Sequence, residues 1–299
     1  MKIGLFLALF HDRPLEEALD AAQAAGCGAV EIATTGPHRP DRAAAERRGL
    51  EISALSCHGN PLHPDEAVAS AADRSFRDTV RLAAELGVGT VITFSGCPGE
   101  SEHSRRPSWV TCSWPDDYPE TLSWQWSERV LPYWAEAAEF ARGRGVRVAI
   151  EPHPGFVVYN TATMLRLREA AGDNVGANFD PSHLFWQQID PLAAARALDG
   201  AIFHVHAKDT GFFPDRLELD GVLETRVEPG ERAWIFRTVG DGHPAAFWRE
   251  LAAALRDAGY DGALSIEHED PLRSREDGLA RAVATLRAAL ATARPCGPA

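Results

Sequence analysis

The side chains best suited to chemistry stand at the ends of four short apolar runs. They read Arg147-Val-Ala-Ile-Glu151-Pro-His153, Ala177-Asn-Phe-Asp180-Pro-Ser-His183, Phe203-His204-Val-His206-Ala-Lys208-Asp209 and Ser265-Ile-Glu267-His268-Glu269. Side chains alternate faces along a strand, so Ala149 goes with Glu151, Asn178 with Asp180, and His204 with His206 and Lys208. If Glu151, Asp180, His206 and Glu267 point inward from neighbouring strands, three carboxylates and one imidazole meet at one spot. Carboxylates that close repel and raise one another's pKa, and a divalent cation removes the conflict. An oxygen-rich set with one imidazole favours one Mn²⁺ ion, with Mg²⁺, Co²⁺, Fe²⁺ and Zn²⁺ also compatible. One Glu or His at a strand end reads as a cap or an ion-pair partner. Four on consecutive strands point to function, and Glu151 ends an apolar strand where an unpaired charge is costly.

Around this set stand residues with two readings each. His153 would face the same cavity as Glu151 and could bind substrate, although a proline on either side also suits a turn. His204 is expected one layer below the metal, satisfied by a core hydrogen bond. Lys208 and Asp209 are placed to orient His206. Arg237 could clamp a substrate oxyanion or form a surface salt bridge. Trp109, Trp114, Trp124 and Trp126 could cover the apolar face of a sugar ring, or bury a dimer contact, which suits most of them better.

The elements that must carry these residues follow from the periodicity. Strands are expected at Ile3–Leu7, Ala29–Ala33, Glu51–Cys57, Thr90–Phe94, Val146–Glu151, Val175–Asp180, Ala201–His206 and Ala263–Glu267. Helical stretches follow them at Pro14–Ala25, Asp41–Gly49, Asp65–Leu86, Glu128–Arg144, Thr161–Ala171, Pro191–Leu198, Pro244–Ala258 and Ser274–Ala293. Eight strand–helix units make an α/β fold, a (β/α)8 TIM barrel formed as a single domain over residues 1–299. A dinucleotide-binding sheet is disfavoured, because the first strand runs into Phe10-His-Asp-Arg-Pro14 rather than a glycine-rich turn. Two long segments, 97–122 and 209–243, fall after strands and are candidate lids on the top face of the barrel.

With 30 Lys+Arg against 43 Asp+Glu the 299-residue chain carries a net charge of −13, which excludes a broad nucleic-acid footprint. Cys27, Cys57, Cys97, Cys112 and Cys296 show no paired spacing and are expected as free thiols. The start, Met1 to Pro14, has no cleavage-site pattern and no apolar run is long enough for a membrane, so a cytoplasmic location is expected. No glycine-rich phosphate loop follows the last two strands, which favours an unphosphorylated substrate.

Taken together, Ile150-Glu151-Pro-His, Asn178-Phe-Asp180-Pro-Ser-His183, His204-Val-His206-Ala-Lys-Asp209 and Gly259-Tyr-Asp-Gly-Ala-Leu-Ser-Ile-Glu267 resemble the sugar phosphate isomerase/epimerase family, the xylose isomerase-like TIM barrels. The resemblance spans nearly the whole chain. It implies a metal held by Glu151, Asp180, His206 and Glu267, with Glu151 and Glu267 acting as acid and base on opposite faces of a sugar carbon. It further implies that His183 contacts a substrate oxygen, and His58, in Ser56-Cys-His58-Gly-Asn-Pro61, resembles the family's substrate-side histidine. The activity implied is proton abstraction beside a carbonyl through a metal-stabilised enediolate, giving isomerisation or epimerisation.

Other readings are β-elimination on a 3-keto glycoside, as in C-glycoside deglycosidases with a second subunit, and a non-catalytic sugar-binding barrel. Endonuclease IV is similar at Glu151, Asp180, His183, His206 and Glu267, and Asp241-Gly-His243 echoes its further zinc ligands. The fourth strand, however, ends Ile92-Thr-Phe-Ser-Gly96 without the histidine that such a site needs. The partners expected are a small sugar or cyclitol and a second copy of the chain, with no nucleic acid and no membrane.

Overall fold

In the computed structural model, residues 1–223 and 225–291 are described. Eight parallel strands close a barrel. They are β1 (Lys2–Phe6), β2 (Ala29–Ala33), β3 (Glu51–Ser56), β4 (Thr90–Thr93), β5 (Arg147–Ile150), β6 (Val175–Phe179), β7 (Ile202–Ala207) and, after an insertion, β10 (Ala263–Ile266), which pairs with both β7 and β1. Each lies within two residues of its expected bounds, because strands covered on both sides read as short Val/Ile/Ala runs. The outer layer is α1 (Leu15–Ala25), α2 (Arg42–Glu46), α3 (Glu66–Leu86), α5 (Leu131–Arg142), α6 (Thr161–Ala171), α8 (Pro191–Ala197), α10 (Ala245–Asp257) and α11 (Arg275–Ala291). Gly26 and Gly87 end α1 and α3 in the left-handed conformation, with φ of 84° and 68°, which glycine adopts without steric cost.

The main core lies between barrel and helices, around Trp134, Trp248, Phe76 and Leu19. A smaller apolar plug of Ala54, Ile92, Ala149 and Phe203, from β3, β4, β5 and β7, forms a separate buried cluster. Above it the strands turn polar. The register between β2 and β3 shifts at Val30/Glu31, and that between β6 and β7 at Ala177/Asn178. Such irregularities re-aim side chains beside active sites; here they coincide with the buried polar residues Glu31 and Asn178.

The two long segments are structured. Segment 97–122 runs into α4 (Asp117–Trp124), which continues through a π-helical stretch at Gln125–Val130 into α5. Buried Gln125 there donates to the carbonyls of Gly99, Ser108 and Pro98 at 2.9, 2.8 and 3.4 Å, stitching the segment down. Trp126 is buried beneath Arg166, and Trp109 packs edge-on against Tyr159. These two are spent within the chain, contrary to the dimer-contact expectation, whereas Trp114 is exposed.

Segment 209–243 holds a two-stranded antiparallel sheet, β8 (Asp209–Phe212) with β9 (Trp234–Arg237), bridged by α9 (Pro214–Asp220). Cys27, Cys57, Cys97 and Cys112 are free, and Cys296 and the last two residues of the expected final helix lie outside the described residues. No helix among the described residues is long and apolar enough to cross a membrane.

Candidate metal centre and active site

The four expected ligands come together. Ligand atoms of Glu151, Asp180, His206 and Glu267 all lie within 4.8 Å of one another. Glu151 and Asp180 immediately follow β5 and β6, Glu267 follows β10, and His206 is the penultimate residue of β7. Local sequence divides the work of the Asp180 carboxylate. Its Oδ1 caps the short helix α7 (Pro181–Phe185) by accepting from the Ser182 N–H at 2.8 Å, with Pro181 in the first helical turn. Its buried Oδ2 has no hydrogen bond of acceptable geometry, and neither has the buried Nδ1 of His206. Two buried lone-pair atoms left without hydrogen bonds, beside two further carboxylates, are what a cation site requires, so the residues present fit a divalent ion.

Glu151 is the most heavily supported member. Its Oε2 receives Asn178 Nδ2 at 3.0 Å and lies 3.2 Å from His58 Nε2 and 3.4 Å from His206 Nδ1. Its Oε1 lies 3.2 Å from His183 Nε2. Burial pushes the carboxyl pKa up, but the His183 hydrogen bond and the nearby His206 and His58 outweigh it and hold Glu151 well below the usual carboxylate range. Below it, His204 Nδ1 meets Asn178 Oδ1 at 3.0 Å and His204 Nε2 meets Ser53 Oγ at 3.2 Å, the satisfied core role expected for that histidine. Burial drives His204 down to about 4.

The substrate-side histidines line one wall. His58 tilts against Phe94 with ring centroids 4.6 Å apart, and His153 packs on His183 at 4.0 Å. Burial, reinforced by the charge of His183, lowers His153 to about 3, so its ring is neutral. Phe236, from β9, stands edge-on to His183 at 5.3 Å. Arg237 is not brought into this group. Its Nε bonds Asp270 Oδ2 at 3.1 Å and its Nη2 lies 3.8 Å from Asp241, the ion-pair alternative.

Two expectations for the residues after His206 are corrected. Lys208 does not orient His206. Its buried ammonium lies 2.7 Å from Glu267 Oε2, 3.1 Å from Asp180 Oδ2 and 3.1 Å from Glu269, beneath the ring of Phe236. Burial opposes its charge, but Asp180, Glu267 and Glu269 hold its pKa well above the ordinary lysine value. Reciprocally, Lys208 and His206 overcome burial and keep Glu267 ionised.

Asp209 turns the other way and anchors the 240–243 loop, accepting the N–H groups of Gly240, Gly242 and His243 within 3.1 Å. Gly242 is required there, since a Cβ would sit 2.2 Å from the Thr210 carbonyl. His243 is thereby tied to Asp209 and stacked on Phe185, Asp241 pairs with Arg273 and Arg281, and neither belongs to the ligand clusters found among the described residues.

One buried carboxylate escaped the sequence reading. Glu31, in β2, is fully buried and lies 2.8 Å from His206 Nε2. The available signal was a glutamate inside the short apolar run Ala29-Val-Glu31-Ile-Ala33. A cavity of about 460 Å³ opens beside the cluster, lined by Phe6, Glu267, His268 and Glu269.

The model of a family described as the xylose isomerase-like TIM barrel matches residues 19–289. A protein of Bacillus subtilis (strain 168) described as uncharacterized protein YfiH is 36% identical over 309 residues, covering 96% of this chain and 98% of that one. Inosose dehydratase of Serratia proteamaculans (strain 568) is 28% identical over 182 residues, 58% of either chain. Among solved structures, L-ribulose 3-epimerase superposes with a TM-score of 0.66 at 19% identity over 99% of both chains, a likeness of fold.

Proposed function

The chain belongs to the xylose isomerase-like TIM barrel family, and from that premise we propose that it is a metal-dependent enzyme that moves a proton at the carbon beside the carbonyl of an unphosphorylated keto sugar or cyclitol, as an isomerase or epimerase. The observation that carries this reading is the convergence of Glu151, Asp180, His206 and Glu267 within 4.8 Å, with two of their buried atoms left without hydrogen bonds. These four residues would hold a divalent ion, with Mn²⁺ the best match to the donors, and such an ion would supply Lewis acidity beside the substrate carbonyl.

The remaining work falls to the side chains. Glu151 and Glu267 are both held ionised, so either can accept the proton. The other glutamate then relays a solvent proton, to the opposite face for epimerisation or to the neighbouring carbon for isomerisation. His183 and His58 already bond to Glu151 and are placed to position a hydroxyl beside it. His153 stacks behind His183 as a neutral ring able to accept a hydroxyl hydrogen bond. Phe236 and Phe94 cover the site and exclude water from the intermediate.

The similarity to inosose dehydratase favours a second outcome of the same first step. Once the enolate forms, the glutamate that took the proton gives it to a hydroxyl one carbon further on, the C–O bond breaks to release water, and the enolate electrons form the new C=C bond as the carbonyl returns, so the reaction is a dehydration.

The test is incubation with keto sugars and keto cyclitols in D₂O, followed by NMR. Deuterium should enter beside the carbonyl only when the metal is present, with epimer, isomer or dehydrated product identified in the same spectrum. Glu151→Gln and Glu267→Gln should each lower turnover by roughly 10²–10⁴-fold. One of them should still exchange hydrogen with solvent while making no product. Wild-type protein that binds these ketones without any exchange would overturn the proposal.

A further inference from the structure

We propose that Glu31 is a positioning residue that holds the His206 ring with its hydrogen on Nε2, leaving the Nδ1 lone pair facing the carboxylates of the metal centre. The proposal rests on the reading of His206 as a metal ligand.

Glu31 enters from β2, three strands round the barrel from β7 by way of β1 and β10. The register between β2 and β3 shifts at Val30/Glu31, and the side chain is fully buried in the barrel. Its Oε2 lies 2.8 Å from His206 Nε2 and accepts the Ser265 hydroxyl at 3.1 Å, Ser265 being the β10 residue in register with His206. An ionised carboxylate can only accept, so the ring must present N–H at Nε2.

The opposite nitrogen is then fixed in space. Nδ1 lies 3.1 Å from Glu267 Oε2 and 3.4 Å from Glu151 Oε2, yet has no hydrogen bond of acceptable geometry. Turning the ring over about its Cβ–Cγ bond would put a ring carbon where each nitrogen now stands. The Glu31 contact and the stacking of Phe6 on the ring at 5.7 Å hold one orientation. A carboxylate in this place also makes the imidazole a stronger donor to a cation. Burying a glutamate completely inside a barrel is otherwise costly, and a purely apolar layer would close the space without it.

The experiment compares wild type, Glu31→Gln and Glu31→Asp. Gln keeps the shape but offers an N–H as readily as an oxygen, so the tautomer with its hydrogen on Nδ1 is no longer excluded. Affinity is measured by titrating Zn²⁺ and Mn²⁺ against a competing chelator, with circular dichroism as a check on folding. Glu31→Gln should bind 10- to 100-fold more weakly with its fold retained, and Glu31→Asp should recover part of the loss. ¹H–¹⁵N correlation spectra of Zn²⁺-loaded wild type should show His206 protonated at Nε2.

A folded Glu31→Gln protein that binds within twofold of wild type would overturn the inference and leave Glu31 as a structural residue. So would a wild-type spectrum with the hydrogen on Nδ1, a readout that does not depend on any variant folding. If wild type binds no divalent ion at all, the metal-centre reading falls first, an outcome distinguishable from either of these.

Discussion

His153 and His204 are neutral in the folded chain well into the acid range, driven by burial to about 3 and about 4. In the unfolded chain both titrate near 6.5. Below that value the unfolded state holds protons that the native state refuses, so stability falls with pH across roughly 6.5 to 4. Glu31, Glu151 and Glu267, all lowered, steepen the loss only below about 4.5. In chelator-treated protein, urea unfolding should therefore give a lower midpoint at pH 4.5 than at 6.5, with up to about 1.4 kcal/mol lost per pH unit for each histidine. His153→Asn should roughly halve that slope. A flat profile would show that the two rings are not buried as neutral groups.

At the scale of elements, the β8–β9 hairpin is what seats Phe236 over His183 and Lys208. It is fastened by Trp234, which stacks on Trp186 with centroids 4.6 Å apart and planes 7° apart and donates to the Val222 carbonyl at 3.0 Å. An aromatic pair of this kind contributes about 0.5–1.5 kcal/mol. Trp234→Ala should raise KM by roughly 2- to 10-fold, with circular dichroism of the barrel unchanged; an unaltered KM would mean that the hairpin does not position the cover.

This hairpin is also where sequence reading stopped short. The eight barrel strands could be read because burial on both sides makes each a compact apolar word between glycine-marked helix ends. Strands of four residues such as Asp209–Phe212, mixing Asp, Thr and Gly and pairing across twenty-one intervening positions, carry no such signal. Within the site, alternation located the four ligand positions. It could not say that Lys208 would ion-pair with the carboxylates that follow β6 and β10, since those partners lie outside its own strand. Glu31 was hidden for a related reason, because its partner is 175 residues away and its strand leaves register at that point.

For the whole molecule, the division of labour is between a barrel closed by its own strands and a top layer that carries the charged cluster. The apolar core around Trp134 and Trp248 makes no use of the side chains of Glu151, Asp180, His206 or Glu267. An ion that binds only the folded state adds about 2.7 kcal/mol at a hundred times its dissociation constant. For a chain of 299 residues that corresponds to roughly 4 °C in Tm. Thermal unfolding in Mn²⁺ should sit that far above unfolding in chelator, and Asp180→Asn should lose the increment while keeping the metal-free Tm. An Asp180→Asn protein that fails to fold without metal would show that the top layer supports the barrel after all.

The π-helical stretch at Gln125–Val130 has a consequence for how this chain tolerates change in length. A π turn holds one residue more than the α turn it interrupts, as if a single codon had been added to a helix that kept both its ends in place. Removing Ser127 or Glu128, both exposed, would let the stretch relax to α geometry and turn everything before it by roughly 100°. Gln125 would then swing away from the carbonyls of Pro98, Gly99 and Ser108, and the segment it stitches would come loose from the barrel. Limited proteolysis should find the 97–122 segment cleaved faster in such a deletion than in a Ser127→Ala protein, which keeps the length and the extra turn. Equal cleavage would mean that the segment is held by its other contacts, and that the surplus residue is only a scar of the insertion that made it.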